Sequence, residues 1–239
     1  MSKTAFHNQI AHQERLHEKR ALEFSKDALE QYETAYSLCD EILYDIEDNV
    51  DLKGNPDRQA IFVSLVRIMG TMQSIKWLFL KGYYYDAFVL VRSFMESLGT
   101  CCYISQNKGT GERWFNDKKI GASLDMFKAI NKTLNPEIPE ENTAKFYGKL
   151  CMFAHGDNWA IGTLISEVED EDDLEDGLKT IRFRNPSPYD KGWVDTVAGN
   201  PLVTLLVIQE LFPEISDYDK SQIAEIQNIQ YETWKKVNS

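Results

Sequence analysis

The chain lacks most of the residue patterns on which recognisable chemistry is built. Its four cysteines, Cys39, Cys101, Cys102 and Cys151, form no CxxC pair. Adjacent Cys101 and Cys102 project about 100 degrees apart on a helix, which suits neither a mutual disulfide nor a zinc site. Reduced, buried thiols in a cytoplasmic protein are the expectation. There is no GxGxxG, GxxxxGK[ST] or GxSxG, so the common nucleotide-binding and hydrolase mechanisms have no support. Di-iron bundles need a Glu-x-x-His on each of two helices, and the chain has one alone, Glu14 to His17. The acidic run Glu169 to Asp173 lacks the turn glycine of a calcium loop and reads as a solvated loop. His7, His12 and His17 are spaced so that they walk around a helix. No metal and no cofactor is expected.

Positive charge is also in deficit. With 38 acidic against 26 basic side chains, the net charge is −12 and the pI about 4.8. No field on the scale of the whole protein attracts a phosphate backbone, so DNA and non-specific RNA binding are not expected. Met1 to Arg20 has no apolar core and does not resemble a secretory signal. The most apolar windows contain Arg67 and Lys76, then Arg92 and Glu96, and charges at such depth are costly in a bilayer. No membrane span is expected.

What is present is helical. Lys3 to Val50 contains no glycine or proline and is rich in Ala, Leu, Glu, Lys and Gln, which predicts one very long helix. Leu22, Ser25, Leu29, Tyr32, Tyr36, Cys39, Leu43, Ile46 and Val50 alternate steps of three and four, a heptad seam. Its first 20 residues are polar and suit a solvated or partner-bound extension. Asn55-Pro56 opens a second helix that Lys81-Gly82 stops, and a third runs from Tyr84 to Gln106 as its antiparallel neighbour. A fourth is expected over 111–133 and a fifth over 140–155. Residues 158–168 suit a short helix and 178–183 a short strand. A central apolar helix is read from Pro201 to Phe212, and Ser216 opens the last. The expected fold is an all-α bundle of about seven or eight helices. Residues 1–50 form a long N-terminal helix and 51–239 the bundle. The first helix either packs along the bundle or pairs with its copy or another protein, and Tyr32 and Tyr36 favour an interface.

Arg92 and Glu96 stand one turn apart in the otherwise apolar stretch from Gly82 to Ile104. A charge in such a helix must be paired, so the two are either a lock fixing helix register or the floor of a site. His155, with Tyr147 and Cys151 before it at spacings of four and Asp157 after it, stands at a predicted helix end. It is either a capping histidine or a general acid or base whose tautomer Asp157 sets. On the functional reading Arg92 holds a phosphate or carboxylate, Glu96 and His155 divide the proton transfers, and Tyr147 supports them.

The stretch Leu80 to Ile104, Trp114, and Tyr147-x-x-x-Cys151-x-x-x-His155-Gly156 together resemble a family of uncharacterised all-helical bacterial proteins. In that family an Arg-Ser-x-x-Glu helix precedes a Tyr-to-His-Gly helix end. The resemblance covers roughly residues 61–156 and implies that Arg92, Glu96 and His155 share one polar site, without bringing a reaction with it. More remotely, the hairpin resembles HEPN domains, many of them metal-independent ribonucleases of toxin and phage-defence systems. Those nucleases hold arginine and histidine in one short motif, whereas here the two fall on different predicted helices. Two function classes follow: a protein-interaction or sensor module using its acidic surface and first helix, or a ribonuclease or nucleotide-acting enzyme using Arg92, Glu96 and His155.

Overall fold

A computed structural model describes residues 3–116, 118–135, 140–154 and 191–238. Among them are nine helices and no strand. In chain order they are α1 (Lys3–Phe24), α2 (Lys26–Asn49), α3 (Pro56–Lys81), α4 (Tyr84–Gln106), α5 (Thr110–Phe115), α6 (Ser123–Leu134), α7 (Glu140–Ala154), α8 (Lys191–Leu211) and α9 (Asp217–Asn238). The expected short helix over 158–168, the strand over 178–183 and the acidic run over 167–176 lie outside the described residues.

The α3–α4 hairpin follows its end signals. Asn55 caps α3 through its side chain, which accepts from the Arg58 amide at 3.2 Å, and Pro56 occupies the first turn. Gly82 ends α3 at φ 87, a left-handed conformation that a side chain resists. The two helices then pack along their length. The stretch Asp86–Gln106 is long and apolar enough to cross a membrane, yet it carries the Arg92–Glu96 pair and packs against α3, α6, α7 and α8.

Three expectations are corrected. The long first helix is two helices, interrupted at Ser25 (φ −110, ψ 17). The Ser25 and Leu29 amides still reach Ala21 and Ser25 carbonyls at 2.9 and 2.8 Å, so the interruption is a one-residue bend that no glycine or proline announces. The helix expected over 111–133 is split into α5 and α6. Trp114 and Phe115 end one apolar patch, and Asp125 opens the next, its carboxylate accepting from the Ala122 amide at 3.1 Å. Finally, α8 begins at Lys191 and runs through Pro201, which was expected to start it. Beside the proline, the Cys39 thiol donates to the Pro201 carbonyl (3.4 Å) and the Thr204 hydroxyl to that of Asn200 (2.9 Å).

The heptad seam faces inward from Ser25 onward. Tyr32, Cys39, Leu43 and Ile46 are buried in one core shared with α3, α4, α6, α8 and α9, while Leu22 is exposed. Tyr32 is therefore a core residue and no argument for an interface. Burial pushes the Tyr32 phenol and the Cys39 and Cys101 thiols far up, and Cys102 up to about 12, so these groups stay neutral in the core.

The polar first helix is docked rather than solvated over its second half. His17 is buried against Gly82 and meets the Tyr84 ring edge-on at 5.6 Å. Lys81 bonds Glu18 at 2.6 Å, and the Tyr83 hydroxyl donates to Glu14. The tip of the α3–α4 hairpin thus holds α1 by polar contacts where apolar periodicity is absent.

Candidate functional site

Two glycines set the distances at which the site's helices meet. A Cβ on Gly99 would lie 2.4 Å from the Met126 carbonyl oxygen, so only glycine lets α6 press onto α4 there. The same contact brings Ser123 and Phe127, at the start of α6, beside α7. Gly111 plays the equivalent part where α5 meets the start of α3, where its Cβ would meet the Pro56 oxygen at 2.4 Å. There the Asp57 carboxylate accepts from the Gly109 and Gly111 amides at 2.7 and 2.6 Å, tying α5 to the first turn of α3.

Within this frame α4 presents Arg92 and Glu96 toward α7. The Arg92 Nε donates to the Glu96 Oε1 at 3.1 Å, with side chains 19% and 31% exposed. Its guanidinium stands over the Tyr147 ring, 5.6 Å from the centroid. Tyr147 in turn packs edge-on against Phe127 at 4.8 Å. The Cys151 thiol and the Ser123 hydroxyl stand near enough to the Tyr147 phenol to act on its ionisation. Cation, carboxylate, phenol and thiol therefore converge at the seam of α4, α6 and α7. Among the described residues no group of three or more His, Cys, Asp and Glu side chains is placed to hold a metal.

The electrostatics are those of an engaged cation. Burial works against the Arg92 charge, but the hydrogen bond and negative charge of Glu96, with Cys151 and Tyr147 adding to them, hold its pKa above the ordinary value. Arg92 is a cation at every accessible pH. Burial, together with the Cys151 contact, raises the Tyr147 phenol, and the Ser123 hydroxyl opposes them, so Tyr147 is a neutral hydrogen-bonding group at neutral pH.

Of the five residues singled out by sequence, the structure brings Arg92, Glu96 and Tyr147 together. His155 and Asp157 lie outside the described residues. Cys151, Ser123 and Phe127 join the cluster without having been assigned to it. For Cys151 the signal was present, since it stands four residues after Tyr147 on one helical face. For Ser123 and Phe127 there was none, because only the α4–α6 packing brings them near.

Residues 58–145 match the model of a family of unknown function, DUF5677. The match spans α3 to the first turns of α7 and includes Arg92 and Glu96. It agrees with the uncharacterised family that the sequence resembles. No curated protein matches the chain, and neither does any solved structure.

Proposed function

We propose that this protein works as a helical interaction or sensor module, binding a protein partner in the cytoplasm rather than turning over a substrate. The observation that carries this reading is the engagement of Arg92. One edge of its guanidinium is held by Glu96 and its face by Tyr147. A phosphate arriving at Arg92 must compete with a carboxylate already in hydrogen-bonding contact, in a protein of net charge −12. The arrangement suits a clamp that fixes α7 on α4 and so shapes the surface around it. The docked α1 and the acidic exposed side of α2 offer further surface for protein contacts. A link to phage defence or toxin control belongs to this proposal only through the remote HEPN resemblance.

The convergence of Arg92, Glu96, Tyr147 and Cys151 at one half-buried seam favours a second reading, a metal-independent ribonuclease in which Arg92 binds phosphate and His155 moves a proton. One paired experiment separates the two: RNA degradation and melting temperature for wild type and His155→Ala. On the interaction reading the wild type leaves RNA intact, and His155→Ala has no cleavage to lose. Cleavage by the wild type that disappears in His155→Ala at an unchanged melting temperature refutes it.

A further inference from the structure

Three side chains of α1 fit the tip of the α3–α4 hairpin. Glu18 bonds Lys81 at 2.6 Å, Glu14 accepts from the Tyr83 hydroxyl, and His17 is buried on Gly82, where a Cβ would lie 2.9 Å from its ring. The tip is a seat shaped to this helix and no other segment of the described chain. To reach it the chain must turn. Glu18 and Glu33 stand fifteen residues apart, about 22 Å of helix, yet their partners Lys81 and Lys76 are five residues apart on α3, about 8 Å. α1 therefore folds across the end of the hairpin, and the whole turn is made at Ser25.

That turn runs against the local sequence. Lys3 to Val50 holds no glycine or proline, and a straight continuation of α2 would carry the 22 residues of α1, about 33 Å, past the hairpin tip. At the bend Ser25 leaves the helical conformation (φ −110, ψ 17), and its buried hydroxyl has no hydrogen-bond partner among the described residues. In a regular helix such a hydroxyl reaches the carbonyl one turn back, as Thr34 and Ser74 do here at 2.9 Å. The bend also turns Leu22 out to solvent, 48% exposed, although it stands seven residues before Leu29 in the apolar seam.

From this we infer that the protein is a dimer whose two copies exchange α1. Each α1–α2 runs straight through Ser25 and seats Glu14, His17 and Glu18 on the partner's hairpin tip. The occupant is a second copy because the seat fits α1 alone, and the same contacts form whether α1 comes from its own chain or the other. Only the bend differs between the two arrangements. Exchange removes it twice per dimer, letting both Ser25 hydroxyls pair. Leu22 then lies between the seat and the former bend, where the two bundles meet and the partner covers it. The inference goes beyond the proposed function and does not depend on the Arg92 site.

Light scattering on the intact chain should give twice its mass of 27.6 kDa. A flexible Gly-Ser-Gly-Ser-Gly insertion between Ser25 and Lys26 lets α1 fold back freely, and should give a folded monomer of unchanged helical content. Glu18→Cys and Lys81→Cys copies, unfolded and refolded together, should be joined into a covalent dimer by a short bismaleimide, with the wild type as control for the natural thiols. Glu18→Lys or Lys81→Glu alone should weaken the dimer by about tenfold, since each alters both seats at once. Refolding those two variants together should restore it, because each seat then again holds opposite charges. A monomeric wild type overturns the inference. So does a dimer that survives the insertion. Mixed copies that stay unjoined, while Glu18→Cys and Lys81→Cys in one chain give a joined monomer, overturn the exchange.

Discussion

Gly99→Ala is expected to destabilise the protein by about 2 kcal/mol or more, although a Gly-to-Ala change within a helix ordinarily stabilises by roughly 1 kcal/mol. The added methyl would lie 2.4 Å from the Met126 carbonyl oxygen and 2.6 Å from its carbon, both backbone atoms that cannot swing aside. α6 must then move away from α4 as a unit. That movement opens the packing of buried Phe127 and Ile130 and draws Ser123 and Phe127 away from Tyr147. Gly148→Ala is the matched control, since nothing stands within 4 Å of its Cβ position, and it should be neutral or stabilising. Denaturant melts of the two variants check this. Equal responses would mean that α4 and α6 are not in contact at Gly99.

Asp57→Ala is expected to cost about 2 to 4 kcal/mol, because it removes a charged acceptor from two backbone amides at once. The amides of Gly109 and Gly111 lose their 2.7 and 2.6 Å bonds, and Gly111 is buried, so water cannot fully replace the carboxylate. Asp57→Asn keeps one acceptor of similar shape and should fall between wild type and alanine. Chemical denaturation of all three proteins gives the order. If alanine and asparagine are both indistinguishable from wild type, the α3–α5 clamp does not hold.

The parts of this fold that were legible in the sequence are those whose cause is local. Asn55-Pro56 and Lys81-Gly82 mark the ends of α3 because capping and left-handed backbone depend on the residues at the end itself. Arg92 and Glu96 were legible as a pair because four residues is one helical turn. The bend at Ser25 has no local signature, and its buried hydroxyl has no hydrogen-bond partner among the described residues, so no side-chain capping bond accounts for it. Helical periodicity told that the Tyr32 face is apolar but not what covers it, and α8 proved to be part of the answer. The requirement for glycine at 99 and 111 comes from Met126 and Pro56, distant in sequence, and no single-sequence pattern carries that information.

The same division applies to the site. Tyr147 was linked to Arg92 only as a supporting residue of the functional reading, because it shares a helical face with His155. The structure supplies the reason: an aromatic face 5.6 Å from the guanidinium on a facing helix. Cys151, read only as an inert thiol, stands against the same cluster.

The central claim is that Arg92 and Tyr147 clamp α7 to α4, and a double-mutant cycle with Arg92→Met and Tyr147→Leu tests it most directly. The cycle cancels the cost of leaving Glu96 unpaired, which both Arg92 variants share. Stability measured for the wild type, the two single variants and the double variant should give a favourable coupling of about 1 kcal/mol, the strength of a partly desolvated cation–π contact. A coupling of zero, with Tyr147→Leu melting like wild type, would contradict the clamp.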